Sequence, residues 1–411
     1  MDVTLAYGEH GLDIDVPDDA VIVEQAELAP LPDERAAIAE AVRANLGHVT
    51  VRGRRVTVVF PDITRPMPNT TVLPPLLAEL ERMGAGPDEV TLLCATGTHR
   101  VATRDELGAL VGPEIIDRYR VEQHDATASR HVEIGAVDGV AVRIDGRYVE
   151  ADVRIVTGFV EPHFFAGFSG GPKAVCPGLA DLETVLEAHS PTRIADPDAT
   201  WTVLDANPVH RFVRSATALL PPDLSVDVAI DDARRVTAVF AGRLPDSHVA
   251  ACAHVQRTTV RRVPGRFDVV VSTNGGHPLD RNLYQAVKGM AAAERVVRVG
   301  GTIVMAASCV DGLPGGSAFA DLLGRATTPE GLRRPGGPAT PDGWQTQVLG
   351  RVLASARVEL YSSGLTDAEV ALAQLVPIDD VSGAVARAAG RHGRVCVLPL
   401  GPLTVATPGG G

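Results

Sequence analysis

Cysteine pairs, secretion signals and long apolar segments are all missing from this sequence. The five cysteines lie far apart and form no Cys-x-x-Cys pair, which argues against a disulfide framework and against a thiolate zinc site. No apolar run reaches the ~20 residues that a membrane helix needs. Residues 1–10 lack the basic and apolar regions of a signal peptide. We therefore expect a cytoplasmic protein without a membrane partner.

Long basic runs are missing as well. The formal net charge is −13, whereas binding to a nucleic acid duplex needs a basic footprint. Nucleic acid is therefore not expected as a partner. The overall charge does not indicate the charge of the substrate, because a local pocket can be positive on an acidic protein.

Short β-branched apolar runs recur along the chain, and each is followed at once by glycine, proline or polar residues. The runs are 55–60, 90–94, 153–157, 267–272 and 301–307. Near-continuous runs of this kind are typical of buried strands in a mostly parallel sheet, and segments with helical spacing alternate with them. The alternation predicts an α/β fold in which ligands bind at the carboxyl ends of the strands.

A basic, proline-containing segment at 257–266 divides this pattern in two. The chain is long enough for more than one hydrophobic core, because single cores stop growing near ~250–300 residues. We therefore predict two α/β domains with mostly parallel sheets, residues 1–262 and residues 263–411.

Charged residues follow the first of the apolar runs, in the segment Asp-Ile-Thr-Arg-Pro at 62–66. Arg65 could hold a carboxylate through two parallel hydrogen bonds, and Asp62 could fix a cofactor or orient the arginine. The alternative is a surface turn closed by a salt bridge.

Two histidines, His99 and His163, also follow predicted strands. One histidine in such a place is more often structural than catalytic. Two of them suit a reaction that removes or delivers a proton on either face of one carbon. We therefore predict that His99 and His163 form an acid/base pair.

A glycine-rich segment from Gly167 to Lys173 resembles a phosphate-binding P-loop only in part. A P-loop requires Gly-Lys followed by Ser or Thr, whereas here Pro172 precedes the lysine and Ala174 follows it. Lys173 still suits a phosphate or a covalently attached cofactor. His189 follows and could be a metal ligand, with the other donors supplied by a cofactor.

A helix is predicted from Leu283 to Val299. Tyr284, Gln285 and Lys288 share one face of it at spacings of three and four. The amide and the ammonium suit the carboxylate and hydroxyl oxygens of an acid, although a solvated helix face has the same pattern. Trp344 either closes a pocket or packs at the start of a later helix.

These motifs, in this order, resemble the lactate racemase family, whose members use a nickel-pincer nucleotide. The segments that carry the resemblance are Asp-x-Thr-Arg-Pro at 62–66, Gly-Thr-His at 97–99, Pro-His-x-x-Ala-Gly-x-Ser-Gly-Gly-x-Lys at 162–173, a later histidine at 189 and Tyr-Gln-x-Val-Lys-Gly at 284–289. They span residues 62 to 290, and the region of Trp344 extends the match.

The resemblance implies roles for individual residues. Lys173 would carry the cofactor covalently, with Asp62 as a further cofactor-binding residue, and His189 would complete nickel coordination. His99 and His163 would be the acid/base pair. The remaining residues would form the substrate-binding site: Arg65, Gln285 and Lys288 would bind the carboxylate or hydroxyl of a 2-hydroxy acid, and Tyr284 and Trp344 would shape the pocket.

The implied activity is that of an isomerase, a racemase or epimerase that inverts C2 of a lactate-like acid. The α-hydrogen would pass as hydride to the cofactor while a histidine takes the hydroxyl proton, which avoids a costly dianion. Residues 1–262 would hold the cofactor and the histidines, residues 263–411 would carry the substrate-binding helix, and the active site would lie in the cleft between them. Cofactor maturation enzymes are the implied partners, and assembly into a homo-oligomer is left open.

Two other functions are less compatible with the sequence. A protein that binds or stores the nickel-pincer nucleotide without turnover would not need both His99 and His163. A nicotinamide dehydrogenase would need a Gly-x-Gly-x-x-Gly turn with an acidic residue ~20 positions later, and the sequence has no such unit.

Overall fold

The computed structural model describes residues 1–128, 130–314, 318–333 and 337–409, and the chain divides into two compact units. The N-terminal unit consists of Glu27–His189 and Asp198–Arg257. The C-terminal unit consists of Met1–Ala26, Ser190–Pro197 and the described part of Thr258–Gly411.

The strands and helices are numbered in chain order. The strands are β1 (Asp2–Leu5), β2 (Leu12–Asp15), β3 (Val21–Ile22), β4 (Val56–Pro61), β5 (Val90–Ala95), β6 (Arg120–Gln123), β7 (His131–Val137), β8 (Val140–Asp145), β9 (Val153–Phe159), β10 (Pro162–His163), β11 (Gly167–Phe168), β12 (Leu224–Ile230), β13 (Val236–Gly242), β14 (Val260–Val263), β15 (Phe267–Thr273), β16 (Val297–Ala306), β17 (Ala356–Tyr361), β18 (Val376–Ile378), β19 (Val395–Leu398) and β20 (Val405–Pro408). The helices are α1 (Glu34–Leu46), α2 (Asn69–Arg82), α3 (Arg104–Val111), α4 (Pro113–Arg118), α5 (Gly146–Val149), α6 (Leu182–Ala188), α7 (Pro191–Ala195), α8 (Pro208–Ala218), α9 (Asp246–Thr259), α10 (Leu283–Glu294), α11 (Ala318–Arg325), α12 (Pro329–Arg333), α13 (Gly343–Ser355), α14 (Asp367–Leu372) and α15 (Val381–Ala389).

The N-terminal unit is built on a six-stranded sheet in the order β13-β12-β9-β4-β5-β6. All neighbours are parallel except β12 and β13. Both faces are covered, because alternate side chains of β4 enter different cores: Val58 and Phe60 join one cluster, and Val59 joins the other. Burial on both faces explains why these strands read as continuous apolar runs.

The chain changes direction across this sheet between β4 and β9. From β4 it proceeds outward to β5 and β6, and it later returns on the other side of β4 to form β9 and then β12. In open α/β sheets, ligands bind in the crevice at the carboxyl ends of the strands where the strand order reverses. The carboxyl ends of β4 and β9 are therefore the expected ligand site of this unit.

The C-terminal unit is built on a second six-stranded sheet, in the order β18-β17-β16-β15-β19-β3, and all of its strands are parallel. The edge strand β3 comes from the beginning of the chain and pairs with β19. Leu5, Ile14 and Val16 enter the core of this unit. Backbone pairing and apolar burial thus hold residues 1–26 in the C-terminal unit.

The predicted fold class, α/β with mostly parallel sheets and two domains, is confirmed. The predicted division into 1–262 and 263–411 made each domain continuous in sequence, whereas the two compact units of the structure are discontinuous. Residues 1–26 and 190–197 belong with the C-terminal residues, and β14 pairs there with β20. Short-range sequence pattern does not reveal such pairing between distant segments.

One predicted helix ends early. The helix that begins at Leu283 ends at Glu294, and β16 begins at Val297. The prediction to Val299 was wrong because three valines, at 296, 297 and 299, favour the strand that follows. Within the described ranges, no helix combines the length and the apolar character that crossing a bilayer would need.

Candidate functional site

A buried carboxylate and an exposed histidine form one cluster at the carboxyl ends of β4 and β5. Asp62 follows β4 and is 3% exposed. Its Oδ2 lies 2.8 Å from Nδ1 of His99, and its Oδ1 accepts a 2.7 Å hydrogen bond from the Thr64 hydroxyl. The His99 side chain is 40% exposed. Asp62 therefore fixes the ring of a histidine that a small molecule can reach.

The pKa of the Asp62 carboxyl lies below its ordinary value. Burial acts to raise this pKa, but the hydrogen bond with His99, the nearby charges of His99 and Arg65, and the hydrogen bond from Thr64 outweigh burial. Asp62 is therefore ionised near neutral pH and can only accept hydrogen bonds. The proton between the two groups then sits on Nδ1 of His99, and the lone pair of the neutral ring is on Nε2. His99 Nε2 is thus the atom that can take up a proton.

His163 lies in β10, just after β9, and favours the opposite tautomer. Its Nδ1 accepts hydrogen bonds from the backbone N–H of Phe165 at 3.4 Å and of Ala166 at 3.3 Å. Since Nδ1 is an acceptor, the neutral ring carries its hydrogen on Nε2. In this arrangement His163 can donate from Nε2, whereas His99 can accept there.

The ring of Phe165 joins three of the predicted site residues. Its centroid lies 4.5 Å from the ring of His163 and 5.4 Å from the ring of His189, in both cases edge to face. The Nζ of Lys173 lies 5.9 Å from the same centroid, within the range of a cation–π interaction. Asn207 holds the Phe165 carbonyl through a 3.0 Å hydrogen bond. His163, Lys173 and His189 are therefore grouped around one buried aromatic side chain.

Lys173 follows a turn that requires glycine. Gly170 and Gly171 have φ values of 76° and 50°, in the region that residues with a Cβ rarely adopt. A Cβ on Gly171 would also lie 2.5 Å from the ring of His248. The turn closes with a 3.1 Å hydrogen bond from the Lys173 N–H to the Gly170 carbonyl. The backbone conformation of the two glycines and the close packing of Gly171 against His248 together fix the position of the Lys173 backbone.

Lys173 and Lys288 are the only lysines in the whole sequence, which uses arginine at its other basic positions. An arginine supplies positive charge and hydrogen-bond donors, but it has no amine that can lose a proton and form a covalent bond. The two positions predicted for cofactor attachment and substrate binding are thus the two where the chain keeps an amine.

His189 ends α6 and has the properties of a ligand through one nitrogen. Its Nδ1 donates a 2.8 Å hydrogen bond to the Val185 carbonyl, so the lone pair of the neutral ring is on Nε2. Burial lowers the pKa of His189 to about 4, and the charge of Lys173 acts in the same direction. A neutral imidazole with a backbone carbonyl on its second nitrogen is the usual form of a metal-bound histidine. Among the described residues, no group of three or more His, Cys, Asp or Glu could hold a metal ion, so His189 would need donors from a cofactor.

The loops that carry these residues are hydrogen-bonded to one another. The backbone N–H of Gly97, in the turn before His99, donates to the Gly178 carbonyl at 3.0 Å, and the Gly178 N–H donates to the Lys173 carbonyl at 3.1 Å. Asp62 and His163 follow β4 and β9, the strands between which the strand order reverses. The Asp62–His99 pair and the residues around Phe165 therefore both lie at the edge of the sheet where a ligand is expected.

The other predicted residues lie in the C-terminal unit. Tyr284, Gln285 and Lys288 are partly exposed along α10, whereas the residues between them are buried. The Trp344 indole N–H donates to the Tyr284 hydroxyl at 3.1 Å, and the Gln345 side chain donates to the Tyr284 carbonyl. The predicted shared face of this helix is present, and the hydrogen bond from Trp344 joins the start of α13 to Tyr284 on that face.

Three buried polar residues that contact the segment around Lys173 were not predicted from the sequence. Asp227, Asn207 and His248 are all nearly inaccessible to solvent, and each contacts residues 165–171. Asp227 did leave a signal, because it is a single charged residue within the apolar run of β12. The carboxylate of Asp62 is bonded to His99 and Thr64, contacts that were not predicted from the sequence. Its predicted part in cofactor binding stays a prediction.

Two family models match the chain, the lactate racemase N-terminal domain over residues 7–202 and the lactate racemase C-terminal domain over residues 263–405. The lactate racemase of Thermoanaerobacterium thermosaccharolyticum is 36% identical over 313 residues, which are 74% of this chain and 72% of that protein. The lactate racemase of Lactiplantibacillus plantarum is 36% identical over 329 residues, which are 78% of this chain and 76% of that protein.

Solved structures agree with this assignment. The lactate racemase apoprotein from T. thermosaccharolyticum has a TM-score of 0.91 and 30% identity, over 99% of this chain and 100% of that chain. A crystal structure of a Thermotoga maritima protein has a TM-score of 0.72 over 94% of this chain and 100% of that chain, and at 18% identity it shows only the shared fold. The chain therefore belongs to the lactate racemase family and is an isomerase of the racemase type.

Proposed function

We propose that this protein inverts C2 of a lactate-like 2-hydroxy acid, using a nickel-pincer nucleotide held by Lys173 and His189. The observation that carries the proposal is the pairing of an accessible histidine with a buried carboxylate at the ligand edge of the sheet. Nε2 of His99 is prepared to accept a proton because Nδ1 is bonded to Asp62 at 2.8 Å. Storage of a cofactor, the alternative function, would not need a histidine prepared in this way.

In the proposed reaction, His99 and His163 serve the two faces of the substrate. The hydroxyl proton of one enantiomer moves to Nε2 of one histidine in its neutral form, and the other histidine, in its protonated form, returns a proton when the opposite enantiomer forms. His99 can take its proton with the Asp62 hydrogen bond intact. His163 can do so at Nε2 only if its Nδ1 releases the two backbone amides. We therefore expect His163 to change its hydrogen bonds during turnover.

The residues around Phe165 have the chemistry that the cofactor requires. The amine of Lys173 can form an amide-type bond, and His189 offers one neutral nitrogen to a metal. When bound, the nickel-pincer nucleotide supplies an acceptor for the α-hydrogen of the substrate. Phe165 and His189 are buried, so the His189 nitrogen lies in a largely apolar setting next to the lysine.

Substrate binding is assigned to Arg65, Gln285 and Lys288, with Tyr284 and Trp344 shaping the pocket. The Arg65 guanidinium makes no side-chain hydrogen bond or ion pair with any residue in the described ranges. A guanidinium of this kind, near the Asp62–His99 pair, is suited to two parallel hydrogen bonds with a carboxylate. A cytoplasmic location, maturation enzymes as partners, a homo-oligomeric state and an active site between the two domains stay predictions.

The test is chiral chromatography of a panel of 2-hydroxy acids incubated with protein produced together with the maturation enzymes and nickel. Wild-type protein should invert one or more acids, and intact mass should show the cofactor on Lys173. His99→Ala and His163→Ala should each lose at least about 100-fold in rate, the usual contribution of a general acid or base, while keeping the cofactor.

The matched control is His392→Ala, which removes an exposed histidine far from these loops in sequence and should keep wild-type activity. Inversion that survives in His163→Ala would contradict the two-histidine mechanism. Loaded wild-type protein that inverts no acid in the panel would favour the storage function.

A further inference from the structure

The turn from Ser169 to Pro172, here called the lysine turn, is held by buried side chains from three other elements. His248 Nε2 donates to the Ser169 carbonyl at 2.8 Å, and the Thr217 hydroxyl donates to the Pro172 carbonyl at 3.0 Å. Asp227 Oδ1 accepts a 2.9 Å hydrogen bond from the backbone N–H of Gly171. All three partners are buried, and none of them is among the residues predicted for the site.

Asp227 is the unusual member of this set. It is a charged residue in the middle of β12 and is 1% exposed. Its Oδ2 accepts a 2.8 Å hydrogen bond from the Ser225 hydroxyl, and no ion pair links it to any residue that the structure describes. A buried carboxylate without a counter-ion is unfavourable for stability. Its place at the base of the lysine turn therefore points to a role in the site rather than in stability.

The packing around Asp227 is tight enough to transmit its position to the turn. A Cβ on Gly170 would lie 2.7 Å from Asp227 Oδ1, and a Cβ on Gly158 would lie at the same distance from the same atom. The carboxylate thus fills the space between β9 and the turn, and both glycines are needed to admit it. The Gly171 N–H that Asp227 holds is two residues from Lys173.

We propose that Asp227 is a positioning residue that holds the lysine turn in the conformation presenting the Lys173 amine for covalent attachment of the cofactor. The inference rests on the proposed function only in naming Lys173 as the attachment residue. The hydrogen bond to Gly171, and not the negative charge, performs this role. Asp227→Asn should therefore preserve the turn, because its amide oxygen still accepts from Gly171, whereas Asp227→Ala should release it.

The test uses the apoprotein and does not depend on racemisation. Lys173 and Lys288 are the only lysines, so brief labelling with acetic anhydride followed by peptide mass spectrometry gives their relative reactivity in one molecule. Asp227→Ala should change the Lys173 to Lys288 ratio by about fivefold or more, the change in an equilibrium that loss of one ordinary hydrogen bond produces. Asp227→Asn and the control Ser225→Ala should keep the ratio within about twofold of wild type. A role in stability alone would lower the unfolding temperature and leave the ratio unchanged, which would overturn the proposal.

A second measurement guards against an Asp227→Ala protein that fails to fold. In wild-type protein, hydrogen exchange should show the Gly171 amide protected by at least about 100-fold relative to an unstructured chain, because its hydrogen bond is buried. Rapid exchange at Gly171 would contradict the proposal directly. Altered labelling in Asp227→Ala, together with a loaded wild-type protein that inverts no acid, would support the role of Asp227 while rejecting the proposed function, so the two failures can be told apart.

Discussion

Replacing Asp62 by asparagine tests the link between the buried carboxylate and the accessible histidine. The substitution keeps the size of the side chain but removes the charge that holds the proton on His99 Nδ1. The 2.8 Å separation of Nδ1 and Oδ2 is typical of a charge-assisted hydrogen bond. Such bonds contribute about 1.5–3 kcal/mol, which corresponds to roughly 10- to 150-fold in rate. We expect kcat/KM of Asp62→Asn to fall by this factor.

The assay is racemisation in both directions, followed by chiral chromatography, with cofactor content measured by intact mass. Because the two enantiomers are equal in free energy, kcat/KM must fall equally in both directions. The fraction of protein carrying the cofactor should stay at the wild-type value if Asp62 acts through His99. A matched control is Glu106→Gln in α3, which removes a carboxylate bonded to Arg100, the residue after His99, and should change kcat/KM by less than about twofold.

Two outcomes would refute this reasoning. Full activity in Asp62→Asn would mean that the carboxylate does not prepare His99. Loss of cofactor, with normal turnover in the protein that remains loaded, would mean that Asp62 binds the cofactor, as predicted from the sequence.

Three further predictions follow from single side chains. Lys173→Arg should fold normally but show no cofactor mass after coexpression with the maturation enzymes, because a guanidinium cannot replace the amine. Lys288→Arg, which keeps the charge, should keep the cofactor and raise KM by about tenfold or more if its compact ammonium binds the substrate. Burial lowers the pKa of His210 to about 3, and the charges of His248, Arg214 and Lys173 act in the same direction. His210 therefore stays neutral in the folded protein, whereas in the unfolded chain it takes up a proton below about pH 6.5. Wild-type stability should therefore fall as the pH drops. The loss of unfolding free energy between pH 7 and pH 5, measured by urea denaturation, should be about 2 kcal/mol smaller in His210→Leu than in wild type. An equal loss in both proteins would contradict this prediction.

The sequence determined much of the N-terminal unit because its signals are local. The runs at 55–60, 90–94 and 153–157 became β4, β5 and β9, since a strand buried on both faces must be apolar throughout. The placing of polar residues directly after those runs located Asp62, His99 and His163 at one edge of the sheet, because parallel strands end at the same edge.

Only the tertiary structure decided which of these residues touch. The bond between Asp62 and His99 joins the ends of two strands, and the grouping of His163, Lys173 and His189 around Phe165 depends on how three loops pack. The same holds for Asp227, which lies 56 residues from the Gly171 amide that it holds, and for the first 26 residues, which join the C-terminal unit. Local pattern specifies secondary structure and the face of an element, whereas contacts between distant segments depend on side-chain packing and backbone pairing that exist only in the folded chain.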